Sequence, residues 1–279
     1  MLSIVLITYN SRSYIQACLD SIFRQDVNDV EVIVVDNAST DGTREFVQTM
    51  YAQAKLIANS ANLGASKARN QGIECAVGEW VLTLDSDVVL GDGFLQEFLL
   101  APRELSDDIG MVQTNILNID GKTIHSQGIY LSVIRRFFDL NRGKPQDFVD
   151  PEAKRILGPC SAAAFYRRSM LEELKEPTGY FDERFFFLVE DVDLAWRARR
   201  AGWKVVLCRQ LTCFHTGNGS GTNKMLRQYL SFRNRYLMIG KNERFLGKVM
   251  VYMLSLPYEA MRIIYLACSN KYLWVRRSG

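Results

Sequence analysis

An apolar run from Trp80 to Leu84 ends in Asp85-Ser86-Asp87. Side chains alternate across a strand, so Asp85 and Asp87 emerge on the same side where the extended geometry continues. Two carboxylates at that spacing suit Mg2+ or Mn2+, hard cations that keep coordination positions open for water and substrate phosphates. A solvated strand-to-loop turn uses the same residue types. A second acidic group, Glu190, Asp191 and Asp193, stands within FFFLVEDVDLAWRARRAGW at 185–203. Carboxylates buried beside an aromatic triplet are costly unless paired, metal-bound or used in chemistry. Acids at the start of a helix and Arg197, Arg199 and Arg200 at its end are also what the macrodipole favours without any function. Adjacent helical residues do not share a face, whereas Asp191, Leu194, Ala195 and Ala198 do. One carboxylate of the three therefore aims at a given pocket.

Three other stretches carry candidate groups. The run Val32 to Val35 leads into Asp36-Asn37-Ala38-Ser39-Thr40-Asp41-Gly42-Thr43. An aspartate there can accept the N3–H of uracil or thymine, and Ser39 or Thr40 can cap the following helix. In Asn62-Leu63-Gly64-Ala65-Ser66-Lys67-Ala68-Arg69, Gly64 permits close backbone approach. The helix start behind it favours anions, and Lys67 and Arg69 add charge for a diphosphate. An ordinary helix entry has the same composition. His215 closes a strand expected over Val205 to Phe214 and precedes the glycine-rich 216–221, which suggests a lid. His125, the second of only two histidines, is assigned to structure.

The elements that position these groups follow from periodicity. Ser3 to Tyr9, Val30 to Asp36, Lys55 to Asn59 and Trp80 to Leu84 read as strands, with helices over Ser13 to Arg24, Thr40 to Ala52 and Ser66 to Ala76. This alternation predicts βαβ units and an α/β fold with a mainly parallel sheet, flanked by helices. Ligands on such sheets bind at the carboxyl ends of the strands, here Thr8, Tyr9 and Asn10, then Asp36 and Asn37, then Asp85 to Asp87. Beyond about residue 105 the pattern loosens into Gly- and Asn-punctuated strands, with one more helix from Glu190 to Ala201. The first strand runs into TYNSRS with no G-x-G-x-x-G, which argues against a nicotinamide enzyme.

Composition bounds the rest. The 279 residues carry a net charge of +3, too little to argue for nucleic acid without a basic stripe. Six scattered cysteines without a C-x-x-C pair fit reduced thiols in the cytosol and argue against a zinc site. The start, MLSIVLITYNS, reads as a strand rather than a signal peptide. From Phe245 the chain turns apolar, with Pro257, Glu259 and Arg262 interrupting it and Lys271, Arg276 and Arg277 following. Its longest uncharged run, Val249 to Tyr258, is far short of the ~20 residues of a membrane span. The chain thus divides into a domain over 1–244 and a helical tail over 245–279. That tail either docks on the domain or lies in the interface of the cytoplasmic membrane face.

Taken together, Thr8-Tyr9-Asn10, VVDNASTDGT, NLGASKARNQG, LDSD, GPCSAAAFYRR at 158–168, FDERFFFLVEDVDLAWRARRAGW and His215 resemble, in order, the family 2 glycosyltransferases of the GT-A fold. The DNAS and EDVDL forms look most like rhamnosyltransferase-type members that build surface polysaccharides. The resemblance implies nucleotide-sugar contacts at Thr8, Tyr9, Asn10, Asp36, Asn62, Gly64, Arg69, Asp85 and Ser86. It implies metal binding by Asp85, Asp87 and His215. Asp191 would be the general base for a glycan or lipid-linked acceptor hydroxyl, with UDP- or dTDP-sugar as donor and Mg2+ or Mn2+ as cofactor. Glu190 and Asp193 would be supporting, and Phe185 to Phe187 would pack by the acceptor. Two other readings use the same residues: a metal-dependent sugar-phosphate nucleotidyltransferase, which needs no base at Asp191, and a non-catalytic nucleotide-sugar-binding assembly subunit.

Overall fold

A computed structural model describes residues 1–100, 105–149, 156–217 and 224–275. The first half alternates as expected: β1 (Leu2–Thr8), α1 (Ile15–Phe23), β2 (Val30–Asp36), α2 (Thr43–Met50), β3 (Lys55–Ala58), α3 (Ala65–Cys75) and β4 (Trp80–Asp85). After it come β5 (Val88–Leu90), α4 (Phe94–Leu100), β6 (Ile109–Asn118), β7 (Ile124–Ser126), β8 (Ile129–Leu131), β9 (Phe137–Asp139), β10 (Ala163–Arg167) and α5 (Arg168–Glu173). The chain ends with α6 (Glu190–Arg200), β11 (Lys204–His215), α7 (Lys224–Asn242) and α8 (Phe245–Val275).

The main sheet runs β3-β2-β1-β4-β10-β6-β11-β5, with β7 beside β6, and β8 pairs β9 separately. From β3 to β4 every pairing is parallel. Beyond β4 the sheet is mixed, because β10 lies antiparallel to both β4 and β6 while β6 and β11 are parallel. Strand β1 is buried along nearly its whole length, as a parallel strand covered on both faces must be. One face packs Leu2, Ile4 and Leu6 against Ile15, Cys18, Leu19 and Ile22 of α1, whose i, i+3, i+4, i+7 spacing is the helical stripe. The other packs Val5, Ile33 and Val35 against α3, α5 and α6. Helix α3 lies close because Gly72 faces Val5, where a Cβ would sit 2.2 Å from Val5 Cγ1.

Capping at α2 differs from expectation. The helix starts at Thr43 behind Gly42, and the Asp41 carboxylate takes the Thr43 N–H at 3.0 Å. Ser39 and Thr40 are occupied elsewhere: Ser39 N donates to Asp36 Oδ2 at 3.0 Å, and Thr40 N donates to Asn10 Oδ1 at 2.8 Å. These contacts tie the loop after β2 to the loop after β1 and leave the cap to Asp41. A third apolar cluster joins Ile129, Phe185, Val189 and Val192 to Met238 and Ile239 of α7 and Val251 of α8. The start of the apolar tail thus shares a core with the segment that leads into Asp191.

Candidate active site

The carboxyl ends of β1 and β2 form the first part of the site. Thr8 and Asp36 are register partners, and both are buried. Thr8 Oγ1 and Asp36 Oδ1 are buried oxygens without a hydrogen-bond partner, an arrangement that costs free energy unless a ligand supplies one. Tyr9 is exposed. Asn10 adopts φ +49° and locks the loop at Ser39 and Thr40. Asn62 Oδ1 accepts from Asn37 Nδ2 at 2.9 Å and from Gly64 N at 3.0 Å. Gly64 has φ +85°, and a Cβ there would lie 2.5 Å from Phe186, so the position admits no larger side chain.

Arg69 projects from α3 and is 3% exposed. Its Nη2 donates to Asp85 Oδ1 at 2.7 Å and its Nη1 to Glu190 Oε1 at 2.6 Å. The guanidinium that sequence alone offers to a diphosphate therefore bridges two carboxylates on separate elements. Lys67 pairs with Glu183, and the Ser86 hydroxyl bonds Ser11. Asp87 Oδ1 meets His215 Nε2 at 3.1 Å, and Asp87 Oδ2 accepts from Gly217 N at 3.1 Å. Behind His215, its Nδ1 lies 3.0 Å from His125 Nε2, and His125 Nδ1 lies 3.1 Å from Asn118 Oδ1. The two histidines thus form one file, which their 90-residue separation in sequence hides. Burial and then His215 hold His125 well below the usual range, at about 3, so it is neutral. Of the lid expected at 216–221, residues 218–221 lie outside the described residues.

Asp191 sits one residue into α6. Its Oδ2 accepts from Ser161 N at 3.3 Å and its Oδ1 from Val192 N at 2.8 Å. Burial, then the neighbouring Glu190, raises its carboxyl to about 7, against the pull of Arg69. The approach to α6 is strained: Phe186, Leu188 and Val189 have φ of +63°, +69° and +76°, a region bulky and β-branched residues rarely enter. Asn234 of α7 holds that approach. Its Nδ2 donates to the carbonyls of Phe185, Phe187 and Leu188 at 2.8, 2.9 and 2.8 Å. No local sequence signal marks Asn234, because its partners are some 46–49 residues away.

Asp193 faces away from this site. It pairs with Arg197 and Lys241, and Lys241 also reaches Glu176 and Asp182. An ammonium thus already occupies the centre of that carboxylate group. Asp85, Asp87 and His215 differ, since their ligand atoms all lie within 4.8 Å of one another. Two carboxylates and an imidazole are a donor set that Mg2+ or, better, Mn2+ accepts. One cleft is lined by Arg69, Asp85, Asp87, His125, Asp191 and His215, with Phe187 and Val189 beside them. Thr8, Asp36, Asn62 and Gly64 are not among its lining residues and cluster at the neighbouring strand ends.

Residues 3–175 match the model of glycosyl transferase family 2. The chain belongs to that family. Among similar proteins, the N-acetylglucosaminyl-diphospho-decaprenol L-rhamnosyltransferase of Mycobacterium tuberculosis is 29% identical over 248 residues, covering 77% of this chain and 76% of that one. Among solved structures, S. aureus TarS 1–349 in complex with UDP superposes with a TM-score of 0.61 at 22% identity, over 90% of this chain and 69% of the other. GalNAc-T7 with UDP, GalNAc and Mn2+ gives a TM-score of 0.61 at 15% identity, over 77% and 43%. The family's GT-A fold accounts for the parallel first half and the mixed remainder of the sheet. As a family 2 member the protein is a glycosyltransferase, and the expectation of rhamnosyltransferase-like relatives is met.

Proposed function

We propose that the protein is an inverting, metal-dependent glycosyltransferase that moves a sugar, dTDP-rhamnose being one candidate donor, from a UDP- or dTDP-sugar to a hydroxyl of a glycan or lipid-linked acceptor in surface polysaccharide synthesis. One observation carries this reading: the Asp191 carboxyl and the Asp85, Asp87 and His215 set line the same cleft. A sugar hydroxyl is a weak nucleophile and a nucleoside diphosphate needs its charge neutralised to leave, so the reaction demands a base and a cation together.

Asp191 takes the proton of the acceptor hydroxyl as that oxygen bonds to the anomeric carbon, and the bond from that carbon to the diphosphate oxygen breaks with inversion. A carboxyl raised to about 7 is matched to proton transfer near neutrality. Asp85, Asp87 and His215 would hold the Mg2+ or Mn2+, which supplies charge neutralisation for the departing diphosphate. Arg69 fixes Asp85 and Glu190 relative to each other. The unpartnered Thr8 Oγ1 and Asp36 Oδ1 supply an acceptor for a pyrimidine N3–H and a hydroxyl beside it. The Mycobacterium relative's name specifies a diphospho-decaprenol acceptor, which supports a lipid-linked acceptor here.

A thermal-shift panel tests donor and metal together, since a ligand that binds the folded state raises its stability by mass action. Stabilisation by UDP or dTDP with Mn2+, absent with ADP or CDP, is the expected result. Equal stabilisation by all four nucleotides would remove Asp36 as the base-reading group.

A further inference from the structure

The charge of this chain is unevenly placed. Residues 224–279 contain eleven lysines and arginines against two acids, Glu243 and Glu259, although the whole chain has 34 against 31. The segment before them, 1–223, is therefore acidic overall, with 23 basic and 29 acidic residues. Both acids of the basic segment are turned inward and neutralised: Glu259 pairs with buried Arg235, and Glu243 with Arg135.

Helix α8 is also inverted relative to a helix on a water-facing surface. Among its described side chains the buried stripe is Val251, Ser255 and Glu259, one turn apart and mostly polar. Its outer surface is apolar: Phe245, Leu246, Met253, Leu256, Met261 and Ile264 are 58–79% exposed. Of the 23 exposed large hydrophobic residues described, ten fall within Phe245–Ile264. Such a density is a patch rather than the scatter normal on a soluble surface. No described helix is long and apolar enough to cross a membrane.

We propose that the outer face of α8 is an attachment surface for a lipid bilayer with anionic headgroups. An apolar face that begins beside exposed Arg244 and partly exposed Lys248 matches such an interface, where side chains enter the acyl boundary and cations meet lipid phosphates. A symmetric second copy fits less well, because it would bring the same excess of positive charge against itself. The placement also orients the enzyme. Tyr252 stacks on Tyr236, and Arg262 lies over Phe232, so α8 runs back along α7 toward its first turns. There Arg227 lines the cleft while Leu226 and Tyr229 are exposed. Attachment through this face holds the cleft near the lipid surface.

Co-sedimentation of the full chain with phosphatidylcholine vesicles, with and without phosphatidylglycerol, tests this directly and needs no knowledge of donor or acceptor. Binding to the phosphatidylglycerol vesicles, weakened by salt, is expected. The pair Leu246→Asp and Met253→Asp should lower that binding at least about tenfold without altering the melting temperature or the Mn2+-dependent nucleotide shift. Arg244→Glu with Lys248→Glu should lower the preference for phosphatidylglycerol by about fivefold or more. Vesicle binding unchanged by either pair overturns the proposal. So does a wild-type dimer in sedimentation velocity that the Leu246 and Met253 substitutions convert to monomer with no vesicle binding in either form.

Discussion

His125 Nδ1 faces the acceptor Asn118 Oδ1 at 3.1 Å and so carries the donated N–H, which leaves His125 Nε2 to accept from His215 Nδ1 across 3.0 Å. Asn118 is itself oriented by its amide donating to Thr123 Oγ1 at 2.7 Å. With Nδ1 of His215 committed as a donor, Nε2 is the nitrogen that faces Asp87. The file therefore sets the tautomer that the proposed metal ligation by His215 would need, as outer partners of ligating histidines do. His125→Ala should weaken Mn2+ binding about 10- to 100-fold in calorimetry or Mn2+ resonance titration, with UDP present throughout. Unchanged affinity would reduce His125 to a packing residue.

Asp191→Asn should abolish transfer, by about a thousandfold or more given the usual worth of a positioned base. Nucleotide binding by calorimetry should be retained. An active Asp191→Asn protein would sink the assignment of the base.

The pH profile follows from the same group. As the proposed base Asp191 would act deprotonated, and its carboxyl is raised to about 7, so kcat/KM should fall as pH drops through about 7. Its effect on stability has the opposite sense. A carboxyl raised on folding contributes stability that is present below its unfolded value and lost as pH rises through the folded one. Asp191→Asn should therefore melt higher than the wild type at pH 8, which differential scanning calorimetry reads.

Asn234→Ala leaves the carbonyls of Phe185, Phe187 and Leu188 without their shared donor. Each unsatisfied buried group costs about 1–3 kcal/mol, and other α7 contacts to this stretch, Arg233 on the Arg184 carbonyl and Arg227 over the Phe187 ring, do not reach those three carbonyls. A lower melting temperature is expected together with a kcat loss larger than any change in nucleotide affinity. A loss confined to stability would separate the turn from catalysis.

Lys241→Met should be destabilising by about 3 kcal/mol, the low end for a broken buried pair, because Asp182 and Asp193 keep Arg184 and Arg197 but lose the cation they share. Asp182 and Asp193 each lie within 2.9 Å of its ammonium. Although burial opposes ionisation, Arg184 and Lys241 hold the Asp182 carboxyl well below the usual range. That stability is present above the unfolded carboxylate value and lost as pH falls through the folded one. The cost of Lys241→Met in urea denaturation should thus shrink in acid.

Much of this protein is decided locally. The strands β1, β2, β3 and β4 and helices α1 and α3 follow from apolar runs and helical spacing, which depend on neighbours a few residues away. The pairing of Asp85 with Asp87 and the start of α6 at Glu190 are legible for the same reason. What sequence could not supply is the destination of each charge. Arg69 is separated by 121 positions from Glu190 and His125 by 90 from His215, and Lys241 by 48 from Asp193. Such partners are chosen by how the sheet closes and how α3, α6 and α7 pack on it. Whether a carboxylate is a base, a bridge or an anchor depends on burial and on which cation reaches it, and only the tertiary structure decides that.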